Sequence, residues 1–337
     1  MLHPMRSNSL NTFRLIAALE VIYSHTVSHL QIMAPPVIGD IIRYFAGVPI
    51  FFTLSGFLIW MSVGRSLNYF VYVTKRFCRI YPELWAAVAV EIGVLLLLFE
   101  GPILIPQFIA FIFGQATVFQ FWTPEFLRTY GCGVPNGALW TISVLIQFYV
   151  VVWFFYKWLH RRSLARWIFF IAVSICISIV SDWITLPTLI EKLYQNTFIP
   201  YLWMFLLASL CAEFKDKILP LLKRNYLIFF ALSLIVYICI DRDFCTDIGY
   251  RYGILRTITL LTALLGIGYA LPQINVRRDV SYGLYIYHMT IVNAMLVFGL
   301  TEHPYYLFVA IALSLLVAYI STITIGEWSK KLKAKYA

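Results

Sequence analysis

Long apolar runs separated by short polar segments dominate this chain. A helix that crosses the roughly 30 Å hydrocarbon core of a bilayer needs about 20 mostly apolar residues, and about eleven stretches come near that length. In lipid, such a run satisfies its own backbone groups by forming a helix. The pattern therefore predicts an all-α integral membrane protein. The stretches lie near 12–32, 44–63, 83–99, 102–122, 138–157, 166–186, 198–213, 226–241, 252–271, 281–299 and 305–326.

The stretch at 102–122 differs from the others, because polar and helix-breaking residues interrupt it. Non-helical backbone at membrane depth is tolerated where it is buried in protein. We predict that this segment re-enters the membrane or lies in its interface, which leaves about ten transmembrane helices. The interrupting residues are Pro106, Gly114, Gln115 and Gln120.

The distribution of basic residues favours this topology. Cytoplasmic loops of membrane proteins carry an excess of Lys and Arg. If every stretch crossed, the basic loop at 157–166 would face away from the basic segment at 75–79. With 102–122 excluded, all basic segments fall on one side, and both termini are predicted to be cytoplasmic. These segments are Arg6, 75–79, 157–166, 215–224, 277–278 and 330–335.

Composition agrees with a membrane protein. The chain is 61% hydrophobic and 12% charged, whereas soluble domains carry about 25% charged residues. The net charge of +10 is concentrated between the apolar runs, so topology explains it better than nucleic-acid binding does. Without an internal repeat or linker, residues 1–337 are predicted to form a single membrane domain with no appended soluble domain. The six cysteines have no metal-like spacing, so no metal site is predicted.

The first apolar run contains Arg14 and His25, eleven residues apart. At 100° per residue the two side chains share one helix face, ~16 Å apart along the axis. Ionisable groups inside a bilayer are costly and often functional. Two interpretations stay open at this point. The residues form a functional pair, or Arg14 reaches the cytoplasmic headgroups and His25 satisfies a hydrogen bond in the core.

Arg76 and Arg79 lie three residues apart and are neighbours on one helical face. Paired guanidinium groups at a cytoplasmic membrane surface suit a phosphorylated ligand. They suit anionic lipid headgroups equally well, and topology alone would place cations here.

Four segments occur in order along the chain: Arg14 with His25, FFTLSGFLI at 51–59, KRFCRIYP at 75–82, and DVSYGLYIYH at 279–288. They resemble, in turn, the Arg-x10-His, FFxLSGFLI, RxxRIxP and SYxxYxxH signatures of the membrane-bound acyltransferase-3 family. This family O-acylates bacterial cell-surface and secreted carbohydrates. The predicted number of ten helices is also the family's number.

Two positions depart from the family pattern. The segment GALWTISVLIQFY at 137–149 resembles the family's LWTLxxExxFY, but Leu145 stands where a Glu is usual. Gln147 cannot replace that Glu as a base. After the last apolar run the usual ExP is replaced by Glu327-Trp-Ser, without the proline. The change at Leu145 puts acceptor recognition, or proton handling there, in doubt.

The resemblance implies an O-acyltransferase in the bacterial inner membrane. Its co-substrate would be acyl-CoA, most often acetyl-CoA, supplied from the cytoplasm, with no permanently bound cofactor. The acceptor would be a surface polysaccharide or its lipid-linked precursor. Arg76 and Arg79 would meet the CoA phosphates, and Arg14 would orient the donor. His25 would take the acceptor's proton or carry the acyl group as an acyl-histidine.

Other residues in these motifs are further candidates. Ser55 and Gly56 interrupt large apolar groups in the second run, which favours either close helix packing or approach of the pantetheine arm. Tyr282, Tyr285 and His288 recur every three residues and share one broad face. That face is predicted to bind the acceptor or line the pore, or else to anchor the helix at the interface.

Two other functions are kept as alternatives. A transporter of polysaccharide or lipid-linked sugar would also have many spans, but its usual pair of broken helices is not visible in the sequence. A catalytically inactive member of the same fold is compatible with Leu145.

In the ten-helix topology Cys132 and Cys245 both lie on the outer side, where an oxidising compartment would allow a disulfide.

Overall fold

The computed structural model describes residues 9–66, 68–184, 186–240, 253–272 and 278–335. All regular secondary structure in these ranges is helical, as the apolar pattern predicts. Cys245, one of the two cysteines in the predicted disulfide, lies outside them.

Long helices alternate with helices of only a few turns. In chain order they are α1 (Leu10–His29), α2 (Pro36–Tyr44), α3 (Gly47–Val63), α4 (Tyr69–Leu98), α5 (Ile105–Ala116), α6 (Trp140–Leu159), α7 (Leu164–Trp183), α8 (Thr188–Gln195), α9 (Leu202–Glu213), α10 (Lys215–Arg224), α11 (Tyr226–Cys239), α12 (Ile254–Ala270), α13 (Ser281–Val297), α14 (Tyr305–Ser321) and α15 (Glu327–Ala334). Short 3₁₀ helices cover Glu125–Thr129, Gly137–Leu139 and Ile199–Tyr201, and a π-helix covers Thr322–Gly326.

Within the described ranges, 5 helical segments are long and apolar enough to cross a membrane, or up to 6 if the bent pair α10 and α11 counts as one span. The helix α13 is shorter, at 17 residues, and α1 is diluted by polar side chains. The described part of the chain is thus all-helical and has the long apolar helices of a membrane protein, whereas the number of ten transmembrane helices stays a prediction. The segments are Pro36–Val63, Tyr69–Leu98, Gly137–Leu159, Leu164–Ser181 and Tyr305–Leu332.

The interrupted stretch at 102–122 is not a continuous helix. It contains α5, whose 12 residues rise only about 18 Å, less than the roughly 30 Å hydrocarbon core. Beyond α5 the chain turns back, and the Gln115 side-chain amide donates to the Gln120 carbonyl over 3.2 Å. The expected re-entrant or interfacial position of this segment stays a prediction.

The described residues group into two compact units. The first combines Met1–Ala17, Tyr44–Arg65 and Val151–Arg277, and the second combines Ala18–Arg43, Ser66–Val150 and Arg278–Ala337.

In the first unit, α3 packs closely against α9. A methyl group added at Gly56 would lie 2.5 Å from the carbonyl oxygen of Phe205, so only glycine permits this backbone approach. The Ser209 hydroxyl donates to the Gly56 carbonyl over 3.2 Å and ties the two helices together.

In the second unit, α4 packs against α13 and α15. The Tyr282 hydroxyl on α13 donates to the Ile80 carbonyl on α4 over 3.1 Å. The Ser329 hydroxyl on α15 donates to the Cys78 carbonyl one half-turn away on α4. Between α14 and α15 the π-helix brings Gly326 against the Glu83 side chain, where a methyl group would lie 2.5 Å from Oε1.

Candidate active site

Two histidines that are 263 residues apart in the sequence meet inside the second unit. His25 Nδ1 lies 2.9 Å from His288 Nε2, the ring centroids are 5.1 Å apart, and the two ring planes are inclined by 26°, so the rings meet edge to edge. His288 is fully buried, and His25 is half-buried. The packing of α1 and α13 therefore places His25, the predicted catalytic residue, against His288 of the distant DVSYGLYIYH motif.

The partners of His288 decide where the protons lie. Its Nδ1 is 2.8 Å from the Tyr285 carbonyl oxygen, which can only accept, so Nδ1 carries the hydrogen. Among the described residues no carboxylate bonds to either ring, and an uncompensated charge is costly at full burial. A neutral His288 then accepts at Nε2, so His25 donates from Nδ1.

This chain of hydrogen bonds leaves Nε2 of His25 without a hydrogen and with its lone pair available. In the described part of the protein, Nε2 of His25 has no hydrogen-bond partner. The side chain also retains some exposure. The arrangement can therefore accept a proton, or attack a carbonyl carbon, at Nε2 of His25.

Tyr285 is held by α6 and the turn before it. Its hydroxyl lies 2.6 Å from the Thr141 hydroxyl and donates to the Ala138 carbonyl over 3.0 Å. Tyr285 is 4% exposed, so these bonds fix the turn of α13 whose carbonyl orients His288. The predicted role of Tyr285 in acceptor binding or pore lining stays a prediction, as do those of Tyr282 and His288.

Asn293, one further turn along α13, holds the loop before α6. Its Oδ1 accepts from the Cys132 backbone N–H over 2.8 Å. Its Nδ2 donates to the carbonyls of Val134 and Pro135 over 3.0 and 2.8 Å. Gly131, at a φ of 53°, lets the loop approach so closely that a methyl group there would overlap the Asn293 amide.

Asn136 completes this attachment and contacts a buried acid. Its Nδ2 donates to the Ile286 carbonyl over 2.9 Å. Within the described ranges, its Oδ1 and both oxygens of Glu91 lack hydrogen-bond donors, although the Glu91 carboxyl lies beside it. Protonation of Glu91 would avoid burying an uncompensated charge at this position.

The predicted donor residues on α4 have different surroundings. Arg76 is 8% exposed, and its guanidinium carbon lies 5.6 Å from the ring centroids of both Tyr72 and Tyr149. Arg79 is exposed and makes no hydrogen bond within the described ranges. Although the two share a sequence motif, only Arg79 is open to a ligand at the surface, and Arg76 is held between aromatic rings.

The remaining predicted residues belong to the first unit. Arg14 lies on α1, half-buried. Ser55 is half-buried, and Gly56 is the contact between α3 and α9 described above. The packing interpretation of Gly56 is thus observed directly, and the roles of Arg14, Ser55 and Gly56 in donor binding stay predictions.

Sequence reasoning missed the residues that support the two histidines. Thr141 lies in the GALWT segment that the motif comparison had singled out, so this signal was available. For Asn136 and Asn293 the signal in the sequence was weaker, since each is only a polar amide beside or inside an apolar run.

Leu145, the departure from the family pattern, is half-buried on α6. Among the described residues, no group of three His, Cys, Asp or Glu side chains could hold a metal ion.

Comparisons with known proteins agree with the motifs. "Nodulation protein 10" of Rhizobium leguminosarum bv. viciae is 26% identical over 328 residues, which cover 88% of this chain and 86% of the relative. The "O-acetyl transferase" of Shigella phage Sf6 is 24% identical over 295 residues, which cover 84% of each chain. No solved structure matches the chain significantly. The acyltransferase-domain model of the acyltransferase-3 family matches residues 7–323, and the protein is therefore an acyltransferase that belongs to this family.

Proposed function

We propose that this protein transfers an acyl group, namely acetyl, from acyl-CoA to a hydroxyl group of a cell-surface polysaccharide or its lipid-linked precursor. The observation that carries the proposal is the hydrogen bond from His25 Nδ1 to His288 Nε2, which leaves Nε2 of His25 able to take a proton. A base with an unperturbed pKa near 6.5 suits the activation of a sugar hydroxyl at neutral pH.

In the direct route, the acceptor oxygen attacks the thioester carbonyl carbon while His25 Nε2 takes the hydroxyl proton. The C–S bond then breaks, and the resulting imidazolium returns the proton to the CoA thiolate. His288 accepts the Nδ1 hydrogen of His25 throughout, which orients the ring and stabilises its positive charge. An orienting partner of this kind serves the catalytic histidine in other acyl-transfer enzymes.

A relay through a covalent acyl-histidine uses the same tautomer. Nε2 of His25 would attack the thioester carbonyl carbon and release the CoA thiolate as the C–S bond breaks. The acceptor oxygen would then attack the acyl carbon, the acyl–Nε2 bond would break, and the acceptor's proton would pass to the CoA thiolate. Both routes require the lone pair at Nε2, so both depend on the same pairing with His288.

The donor side of the proposal rests on exposure and charge. Arg79 is exposed and would form charge-assisted hydrogen bonds with the CoA phosphates. Arg76, held between Tyr72 and Tyr149, would act deeper along the donor. Donor-binding roles of Arg14, Ser55 and Gly56, in the first unit, are proposed separately. We further propose one membrane domain of ten spans in the bacterial inner membrane, with both termini cytoplasmic.

The relatives support an O-acyltransferase over the alternatives. One relative is named an O-acetyl transferase, which favours acetyl as the acyl group here. Acyl transfer uses both histidines of the pair, and neither relative is named as a transporter. An inactive member of the family would not require the lone pair of His25 Nε2 to be available.

The test is the acetyl-ester content of the producing cell's surface polysaccharides. It compares the wild type, a deletion strain, and the deletion complemented with wild type or His25→Ala at equal membrane abundance. We expect the ester to disappear on deletion and to return only with the wild-type protein, and the polymer that loses it names the acceptor. Full restoration by His25→Ala contradicts the role of His25, and unchanged esters after deletion favour a transporter or an inactive protein.

A further inference from the structure

A basic cavity lies at the turn between α6 and α7, in the first compact unit. Its volume is about 510 Å³, and it opens to the surface. Three cations line it together with aromatic rings that could flank a bound group. The lining residues are Lys157, Trp158, Arg162, Arg166, Phe169 and Phe170.

The three cations of this cavity have no anionic partner in the described part of the protein. Lys157, Arg162 and Arg166 are all exposed, and none forms an ion pair there. The carboxylate that this turn does engage is Glu213. It accepts from the Trp60 indole over 2.8 Å, from the Arg161 backbone N–H over 2.7 Å, and lies 3.0 Å from a ring nitrogen of His160.

An apolar groove runs along the same helix from the basic cavity. Its volume is about 670 Å³, and Phe169 belongs to the walls of both the groove and the cavity. The groove continues along α7 through Val173, Ile177 and Val180 to Ile184, just beyond the end of the helix, and Tyr194 of α8 also lines it. A single ligand could therefore occupy the cavity and the groove together.

The length of the groove fits a hydrocarbon chain. From Phe169 to Trp183, its last residue, α7 rises about 21 Å, which is more than half of the roughly 30 Å hydrocarbon core. A chain that starts at the level of the three cations would remain against protein through its own leaflet. An anionic head and a long apolar tail are the two parts that this surface can bind.

We infer that α7 carries a specific site for an anionic glycerophospholipid. The headgroup phosphate binds to Lys157, Arg162 and Arg166, and one acyl chain lies in the groove from Phe169 to Ile184. Arginine suits this phosphate because its planar donors form paired hydrogen bonds with the oxygens. Trp158 is positioned to lie at the interface beside the headgroup, where Trp is favoured.

The experiment measures lipids retained by the full-length protein after transfer from nanodiscs that contain equal amounts of phosphatidylglycerol and phosphatidylcholine. Native mass spectrometry counts the bound lipids. The wild type is expected to retain phosphatidylglycerol selectively, and Arg162→Gln with Arg166→Gln should lower this retention roughly 10- to 30-fold. Lys223→Gln with Arg224→Gln on α10 removes the same charge elsewhere and should leave retention unchanged. If the double variant fails to insert, Arg162→Gln and Arg166→Gln are measured separately.

A second variant tests the groove. Val180→Trp blocks the groove near its Ile184 end without changing charge and should reduce retention of long-chain phosphatidylglycerol more than that of a short-chain form. The inference is overturned if Arg162→Gln with Arg166→Gln retains the lipid like wild type, if the α10 control loses it equally, or if Val180→Trp has no effect. It is also overturned if inorganic phosphate or a polyprenyl phosphate displaces phosphatidylglycerol, because the site would then bind phosphate alone or a polyprenyl lipid rather than a glycerophospholipid.

Discussion

His25 donates a hydrogen bond from Nδ1 to Nε2 of His288 over 2.9 Å, across 263 residues of sequence. Nδ1 of His288 donates its hydrogen to the Tyr285 carbonyl oxygen. The other ring nitrogen of the neutral imidazole, Nε2, carries no hydrogen and can therefore only accept. The pair therefore sets the tautomer of His25 through a fully buried neighbour rather than through a carboxylate. The acyltransferase chemistry proposed here depends on this single proton assignment.

Substitutions of His288 test that assignment. In His288→Gln the side-chain oxygen reaches the position of Nε2 and can still accept from His25, so activity should stay within about ten-fold of wild type. His288→Asn carries the same amide at the Nδ1 position, too short to reach His25, and His288→Leu has no acceptor. Both should lower kcat by roughly 100-fold with little change in KM for acetyl-CoA, because general-base efficiency is lost.

The measurement is thiol release from acetyl-CoA by purified protein in nanodiscs, with an acceptor glycan present. Equal losses for the Gln and Asn variants would contradict the acceptor role of His288. Wild-type activity in His288→Leu together with an inactive His25→Ala would leave His25 catalytic but remove His288 from the mechanism.

Arg76 and Arg79 should differ when each is replaced. Arg79→Ala removes an exposed cation and is expected to raise KM for acyl-CoA about ten-fold without loss of folded protein. Arg76→Ala removes a buried guanidinium between Tyr72 and Tyr149, so the yield of folded protein should fall as well. Steady-state kinetics and size-exclusion profiles in detergent separate the two effects. Identical changes in KM and in the yield of folded protein for both variants would contradict the distinction between a buried Arg76 and an exposed Arg79. Lys75→Ala, which removes a neighbouring positive charge, serves as the control.

Gly56 and Gly93 form a matched pair for helix packing. A methyl group at Gly56 overlaps the Phe205 carbonyl, so Gly56→Ala should lower the apparent melting temperature in detergent and cost about 1–3 kcal/mol. A methyl group at Gly93 meets nothing within 4 Å, and Gly93→Ala should be neutral or slightly stabilising. A stable Gly56→Ala variant that has lost only acyl-CoA binding would instead favour the pantetheine interpretation.

Glu91 should behave as a neutral group. Glu91 is 2% exposed, so Glu91→Gln, which keeps the size of the side chain without a charge, should retain folding and activity. Glu91→Ala opens a cavity at this buried position, which should cost about 2–4 kcal/mol. Thermal unfolding followed by native tryptophan fluorescence tests both. A Glu91→Gln protein as unstable as Glu91→Ala would mean that Glu91 acts in its ionised form.

The sequence by itself determined the class of protein and the residues to examine. Hydrophobic run length reports membrane helices because each run must satisfy its own backbone in lipid, and the helices α6, α7 and α14 fall where long runs predict them. The helix α4 begins at Tyr69, well before the run at 83–99, and includes the basic segment 75–82 that the pattern had placed between two spans. The motifs identified the family and drew attention to His25, Arg79 and the α13 segment. These signals are local in sequence, since composition, spacing and motif letters need no knowledge of which segments touch.

Only the tertiary structure decided how these residues act on one another. The motif could not pair His25 with His288, because a hydrogen bond between two helices depends on how they pack rather than on spacing along one chain. It could not separate a buried Arg76 from an exposed Arg79, since burial depends on the neighbours that other helices supply. Gly56 was open to two interpretations until Phe205 was seen against it. Proton positions, burial and close backbone contact are properties of the packed chain, and for that reason the sequence alone left them open.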